Sequence, residues 1–258
     1  MTFLELCQHV HRLIRPGPDL PGTVPTATTG QTGILDEIVY WVRNAWLDIQ
    51  AEHPSWKWMI VPGSLSVTSG TGRTYAMSAI TTGGGTWVAS VAAERVSPMV
   101  DSHGNQFGLI YLTATGVSAQ QRVIYVDYAD WRGFLDIGTR ASGQPRYFTV
   151  KNGNQLEFDP TPDATYTFTC DVKVNAQSLS ATTDNPLNWP VTAMGLPANY
   201  HQWIAWRAVK MYAITRQEAS NLYQQANREE SIWRDKAVSE FTPTVDIDAM
   251  YGNSGFTF

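Results

Sequence analysis

The sequence predicts an α+β protein: N- and C-terminal helices form a helical bundle, a mainly antiparallel β domain is inserted between them, and an extended C-terminal tail follows. Three observations carry that expectation. Apolar residues recur with a helical period near both ends of the chain, the period drops to two between about Trp56 and Trp189, and the stretch from Phe241 to Phe258 has neither period. The implied divisions are 1–55 for the N-terminal helices, 56–190 for the β domain, 191–240 for C-terminal helices packing on the N-terminal ones, and 241–258 for the tail.

The first helix opens on a capping box, Thr2-x-x-Glu5, whose hydroxyl and carboxylate satisfy the first free amides. Phe3, Leu6, Val10, Leu13 and Ile14 then form its apolar stripe. Pro16, Pro18, Pro21 and Pro25 exclude regular structure from the loop that follows. In the second helix Thr32 is placed to cap, and Asp36 and Glu37 favour the positive end of the dipole. Leu35, Ile38, Val39, Val42, Ala45, Trp46 and Ile49 make one broad stripe, ending before His53-Pro54. Tyr40 and Leu47 fall opposite that stripe, giving this helix a second, smaller apolar face.

In the middle, Tyr166, Phe168, Cys170, Val172 and Val174 alternate with polar residues, the pattern of a strand with one buried face. Arg146 to Val150 and Gln155 to Phe158 flank Asn152-Gly153, a strong hairpin signal. Further strands are expected at 57–61, 74–80, 86–91, 107–113 and 122–126, and a short helix or turn at 128–134. After Pro197, Tyr200, Trp203, Ile204, Trp206, Val209, Met211, Tyr212 and Ile214 surround a helix, which is therefore buried on all sides or shared between subunits. A second capping box, Thr215-x-x-Glu218, is expected to start the last helix, with Ala219, Leu222, Tyr223, Ala226, Trp233 and Ala237 inward and Arg228, Glu229, Glu230, Arg234, Asp235 and Lys236 on a solvated face. Glu230 and Arg234 stand at the i,i+4 spacing of an ion pair.

Composition narrows the function. The 258 residues are 16% charged and 43% hydrophobic, include ten Trp, and carry a net charge of −5. A typical globular chain is about 25% charged, so much of this surface is neither charged nor obviously core. No segment is strongly basic, which argues against a nucleic-acid reader held by phosphate contacts. No apolar run approaches a membrane span and the first residues lack a signal-peptide pattern, so a soluble protein is expected, made inside the cell. Cys7 and Cys170 read as plain small hydrophobes.

The candidates for chemistry are sparse. The Gly-rich runs at 70–74 and 83–86 lack the Lys and following helix of a P-loop. His9 and His11 point apart on their helix, and Asp101 with His103 in a loop is an ordinary turn motif. Asp127, Asp130 and Asp136 would serve glycoside hydrolysis only if two of them faced across a cleft. Trp56, Trp58, Trp87 and Trp131 are the candidates for a sugar-stacking surface in the alternative reading, a carbohydrate-binding or peptidoglycan-degrading β-domain protein. No catalytic residue, cofactor site or metal site is assigned, and no enzyme is expected.

The order of several distributed segments resembles one family. They include Thr2-Phe3-Leu4-Glu5-Leu6, Gly30-Gln31-Thr32-Gly33, Ile38-Val39-Tyr40-Trp41-Val42 with Ala45-Trp46-Leu47-Asp48-Ile49-Gln50, and His53-Pro54-Ser55-Trp56-Lys57-Trp58. Further on come Ile110-Tyr111-Leu112, Tyr128-Ala129-Asp130-Trp131-Arg132, Gly143-Gln144-Pro145-Arg146-Tyr147-Phe148, Leu196-Pro197 and Trp203-Ile204-Ala205-Trp206-Arg207-Ala208. Over most of its length, from Thr2 to about Phe241, the chain is similar to the head-to-tail adaptor proteins of short-tailed bacteriophages. The resemblance implies a structural virion protein at the head–tail junction, made in the host cytoplasm. It implies a dodecameric ring of helices beneath the portal, a β domain toward tail nozzle or tail fibre proteins, and double-stranded DNA passing through the lumen without sequence-specific binding during ejection.

A ring subunit must bury apolar area against neighbours on two different faces. Tyr40, Leu47, Trp203, Trp206 and Tyr212 are accordingly the expected subunit interface, and the low charge count has an explanation. The aromatic residues of the tail, Phe241, Tyr251, Phe256 and Phe258, are the expected portal-binding anchors, because an extended peptide with spaced aromatics docks by strand addition or by filling pockets.

Overall fold

A computed structural model describes residues 1–14, 24–53, 56–68, 72–82, 93–95, 99–100, 106–107, 110–114, 121–135, 142–151, 155–189, 195–216 and 220–242. The stripe at its start folds as α1 (Phe3–Ile14), which buries Phe3, Leu6, Val10 and Ile14 together with Cys7 and His11. The capping box forms in both directions. The Thr2 backbone N–H donates to Glu5 Oε2 at 2.7 Å, and the Glu5 N–H donates to Thr2 Oγ1 at 3.3 Å.

Helix α2 (Ile34–Glu52) buries Ile38, Val39, Val42, Ala45, Trp46 and Ile49 as its spacing requires. Thr32 does not cap it. Gly33 occupies the cap position with φ 60°, and its carbonyl accepts from the Asp36 and Glu37 N–H groups at 3.1 and 3.2 Å. That backbone lies in the left-handed region, which glycine enters without the Cβ clash that would exclude Thr.

The middle of the chain supplies thirteen described strands: β1 (Ile60–Val67), β2 (Thr74–Ala76), β3 (Thr81–Thr82), β4 (Ala93–Arg95), β5 (Met99–Val100), β6 (Gln106–Phe107), β7 (Ile110–Ala114), β8 (Gln121–Tyr125), β9 (Ser142–Gly143), β10 (Tyr147–Lys151), β11 (Gln155–Asp159), β12 (Thr161–Pro162) and β13 (Tyr166–Val174). Between β8 and β9, α3 (Tyr128–Asp130) runs into a π-helical turn at Trp131–Leu135, where the sequence predicts a short helix or turn. The main sheet runs β2-β11-β10-β8-β7-β13-β1-β3, with β4 also on β13, and is antiparallel except for β10 beside β8.

Period two is realised on the central pair. Val61, Leu65 and Val67 of β1 lie opposite Val172, Phe168 and Tyr166 of β13, and all six are buried. Phe168 stacks on Phe158 at 4.3 Å between centroids, Phe158 meets Phe148 at 6.5 Å, and Phe148 meets Tyr125 at 5.4 Å, so one aromatic row crosses four strands. Strands β10 and β11 pair down to Lys151 opposite Gln155, as a hairpin around Asn152-Gly153 requires, though those two residues lie outside the described ones.

Three strand boundaries differ from expectation. Lys57–Met59 is a 3-10 turn and the strand begins at Ile60, because Trp58 and Met59 are both buried and a strand would turn one of them outward. The stretch 74–80 is a strand only to Ala76. A second 3-10 turn at Met77–Ala79 then buries Met77, and Ile80 follows it into the core. The stretch 107–113 holds two strands, β6 and β7, and the strand expected at 86–91 lies outside the described residues.

The helical period returns as α4 (His201–Arg216) and α5 (Ser220–Phe241). Thr215 is not a cap. It sits in the last turn of α4 and its hydroxyl donates back to the Met211 carbonyl at 3.0 Å, while Glu218 lies outside the described residues. Phe241 ends a helix instead of opening an extended tail. Helix α4 packs against α1, α2 and α5.

At the N-terminal ends of β1 and α4, Trp58 stacks on Trp46 at 5.3 Å, and Trp56 lies 6.2 Å from Trp58 and edge-on to Trp203 at 5.8 Å.

The segment entering α4 is pinned by its backbone. Gly195 N–H donates to the Leu187 carbonyl at 2.8 Å, and Leu196 N–H to the Pro186 carbonyl at 3.0 Å. A Cβ on Gly195 would come within 2.1 Å of both the Pro186 and Trp189 carbonyl oxygens. Backbone oxygens cannot swing away as a side chain does. Gly195→Ala is therefore expected to destabilise the fold by about 3 kcal/mol, at the upper end for overpacking, read as a lowered urea midpoint.

Candidate interaction surface

Helices α2 and α4 run antiparallel. Arg216, at the end of α4, holds Glu37 in the first turn of α2 with Nη2 to Oε1 at 2.8 Å and Nε to Oε2 at 3.2 Å. At the other end, Arg207 of α4 reaches Glu52 at 2.6 Å. Between these two pairs lies an open cleft lined by Asp48, Ala51 and Glu52 of α2 and Arg207, Lys210, Met211 and Ile214 of α4.

Beneath the cleft is a charge network that joins three helices. Glu230 of α5 is only 3% exposed, and its two oxygens are divided among neighbours. Oε1 accepts from Arg207 at 2.8 Å and from the Trp203 indole N–H at 3.4 Å, while Oε2 accepts from Lys210 at 3.1 Å. Arg234 turns instead to Glu52. The expected Glu230–Arg234 pair on a solvated face is thus replaced: both residues reach across to other helices, because helical spacing registers neighbours within α5 and not the cations that α4 presents to it. Burial pushes the Glu230 pKa up, but the Arg207 charge, with Lys210 and the Trp203 N–H, more than offsets this and holds it below the ordinary carboxylate value.

The expected interface residues divide into two sets. Trp203 and Tyr212 are buried inside the subunit, because α4 is covered by α1, α2 and α5, so they serve this chain's own core. Tyr40 is 53% exposed, and Leu47 and Trp206 are half-buried. Ile214, at 57%, and half-buried Met211 join them on the outward side of α4. Of the tail residues, Phe241 packs edge-on against Tyr200 at 5.0 Å, and Tyr251, Phe256 and Phe258 lie outside the described residues.

The residues considered for chemistry are placed otherwise. Asp127 Oδ1 accepts from the Ala129 N–H at 2.9 Å and so caps α3, Asp130 is exposed, and Asp136, Asp101 and His103 lie outside the described residues. Trp56, Trp58 and Trp131 are buried, with no face free to stack on a sugar, and Trp87 lies outside. His9 bonds Gln202 at 2.8 Å. Cys7 and Cys170 are buried free thiols, and burial pushes the Cys7 thiol up to about 12. Among the described residues, no three His, Cys, Asp or Glu side chains group to hold a metal, and no helix is long and apolar enough to cross a membrane.

His201 begins α4 fully buried. A carbonyl can only accept, so Nε2 carries the proton given to the Leu196 oxygen at 3.1 Å, and Nδ1 accepts from the Met1 amine at 2.7 Å. Burial, reinforced by the amine's charge, lowers its pKa to about 4. The unfolded chain takes up this proton from pH ~6.5 downward while the folded one stays neutral, so stability falls by up to about 1.4 kcal/mol per pH unit between pH ~6.5 and ~4. Denaturant titrations across that range should show the loss, and His201→Gln should flatten it.

Half-buried and exposed apolar side chains thus share the outer sides of α2 and α4 with the ion pairs that join the two helices. The chain belongs to the SU10 adaptor protein family, whose model matches residues 1–245. The family consists of bacteriophage adaptor proteins, structural components of the head–tail junction, as the sequence resemblance implies. No curated protein matches the chain.

Proposed function

We propose that this protein is a head-to-tail adaptor of which twelve copies form a ring, joining the portal to the tail and lining the passage for double-stranded DNA. In this reading α1, α2, α4 and α5 form a helical bundle that is the ring body, residues 56–190 form an inserted β domain facing tail nozzle or tail fibre proteins, and the segment after α5 docks on the portal. The protein acts in the virion after synthesis in the host cytoplasm, and no catalytic residue is assigned to it.

The observation that carries this reading is the outward apolar set on two neighbouring helices, Tyr40 and Leu47 on α2 with Trp206, Met211 and Ile214 on α4, in a chain with few charges. Such side chains need a cover, and a ring neighbour supplies one. The mild negative charge of −5 suits a conduit, since a basic lumen would retain DNA by phosphate contacts.

The docking role of the tail is tested by deleting residues 249–258. Co-sedimentation with portal is expected to be lost while the thermal unfolding midpoint stays within error of the full chain. Undiminished portal capture by the shortened chain would show that the tail does not dock on the portal.

A further inference from the structure

We propose that the helices and the main sheet form one rigid body, closed by a strap, residues 177–184, that leaves β13 and clamps α2 and the start of α1. The chain passes between helices and sheet twice, after α2 and after β13. A single joint leaves a rotation about itself, and two separate joints remove it. The first joint is the tryptophan cluster. Trp56 donates its indole N–H to the Ile49 carbonyl of α2 at 2.8 Å and meets Trp203 of α4, while Trp58 stacks on Trp46. One continuous set of buried side chains includes these indoles and runs from α1, α2 and α4 into β1, β11 and β13.

The strap is the second joint. Gln50 of α2 pairs with Gln177 in both directions: Nε2 donates to the Gln177 carbonyl at 3.0 Å, and the Gln177 N–H donates to Oε1 at 2.9 Å. Farther back along α2, about 10 Å at the helical rise, Arg43 Nε donates to the Leu179 carbonyl at 3.0 Å. The strap then serves the first amides of α1, which have no partner within their own helix. Leu4 N–H donates to the Thr182 carbonyl at 3.3 Å and Phe3 N–H to the Asp184 carbonyl at 2.7 Å. Asp184 is the buckle. It is 1% exposed, and its Oδ2 accepts from the Ser180 and Ala181 N–H groups at 2.6 and 2.7 Å and from the Ser180 hydroxyl at 3.1 Å, which fixes the turn that aims those carbonyls. Held at both joints, sheet and helices keep a fixed angle, so a load on one is delivered to the other across the head–tail junction. That consequence rests on the adaptor reading above, whereas the rigidity itself does not.

Residual dipolar couplings of the full chain, recorded without portal, test the coupling. Amides of α2 and α4 and amides of β1, β11 and β13 are expected to fit one alignment tensor of one magnitude. Asp184→Ala removes the buckle. Its Phe3 and Leu4 amides should exchange with solvent about tenfold faster or more, and its sheet amides should lose alignment relative to the helices as rotation about the tryptophan joint is freed. Asp184→Asn, which keeps an oxygen for the two backbone donors, should restore the single tensor. If Asp184→Ala does not fold, Gln50→Ala loosens the other end of the strap and should free the same rotation. Two tensors in the parent chain overturn the rigid body. A single tensor in folded Asp184→Ala, or in Gln50→Ala where it stands in for that variant, overturns the strap's part in it. The sample contains no portal, so a chain that forms no ring and still fits one tensor removes the ring and leaves this inference standing.

Discussion

Arg207→Ala is expected to destabilise the protein by about 3 to 5 kcal/mol, the range for removing one partner of a buried ionic cluster. The arginine serves two acids at once, Glu52 at 2.6 Å and Glu230 at 2.8 Å, and its guanidinium lies over the Trp203 ring at 5.6 Å. Its loss leaves Glu230, 3% exposed, with Lys210 as its remaining charged partner. The cost comes mainly from leaving a buried carboxylate with one cation in place of two, so converting the cluster should undo most of it. Arg207→Met combined with Lys210→Met and Glu230→Met should recover stability toward the parent, because well-packed apolar groups of similar volume often match or exceed a buried ion cluster. Urea unfolding of the single and triple variants checks both parts, and a triple variant no more stable than Arg207→Ala would show that the charges themselves hold the helices together.

Trp56→Ala is expected to cost a similar ~3 to 5 kcal/mol, the range for truncating a buried Trp. Trp56 is fully buried, touches Trp58 and Trp203, and donates its indole N–H to the Ile49 carbonyl at 2.8 Å near the end of α2. Truncation opens a cavity among three elements and also removes that hydrogen bond. Trp56→Phe retains ring packing but not the hydrogen bond, so it should fall between the two. A reduced denaturation midpoint with an unchanged slope is the signature of lost stability alone.

Much of the fold was legible because it is periodic. The stripe of α1, the reciprocal Thr2–Glu5 cap, the alternation along β13 and the hairpin strands each follow from spacing within one element. The misreadings share a cause: they needed to know what lies across from an element. Glu230 read as solvated because its neighbours on α5 are polar, whereas its partners Arg207 and Lys210 come from α4. Trp203 and Tyr212 read as shared with another subunit because α4 is apolar all round, and the structure covers that side of α4 within the same chain. Thr215 fitted a capping motif that is only four residues long, and one more turn of α4 absorbed it.

The cleft was the part of the candidate site that sequence reasoning missed. Arg207 and Lys210 stand one turn apart on α4, a spacing that marks one helix face, but nothing in the sequence places Glu52 opposite them. Tyr40 and Leu47 were visible because a helical wheel shows a second apolar face without reference to any partner.

The proposed role of this chain is the adaptor ring of a phage head–tail junction. Electron micrographs of the protein mixed with portal test that role. A twelvefold ring of this chain stacked on the portal is expected, with Tyr40 and Ile214 covered at the contacts between copies. A chain that stays monomeric beside saturating portal, or that binds portal without closing into a ring, would overturn the ring.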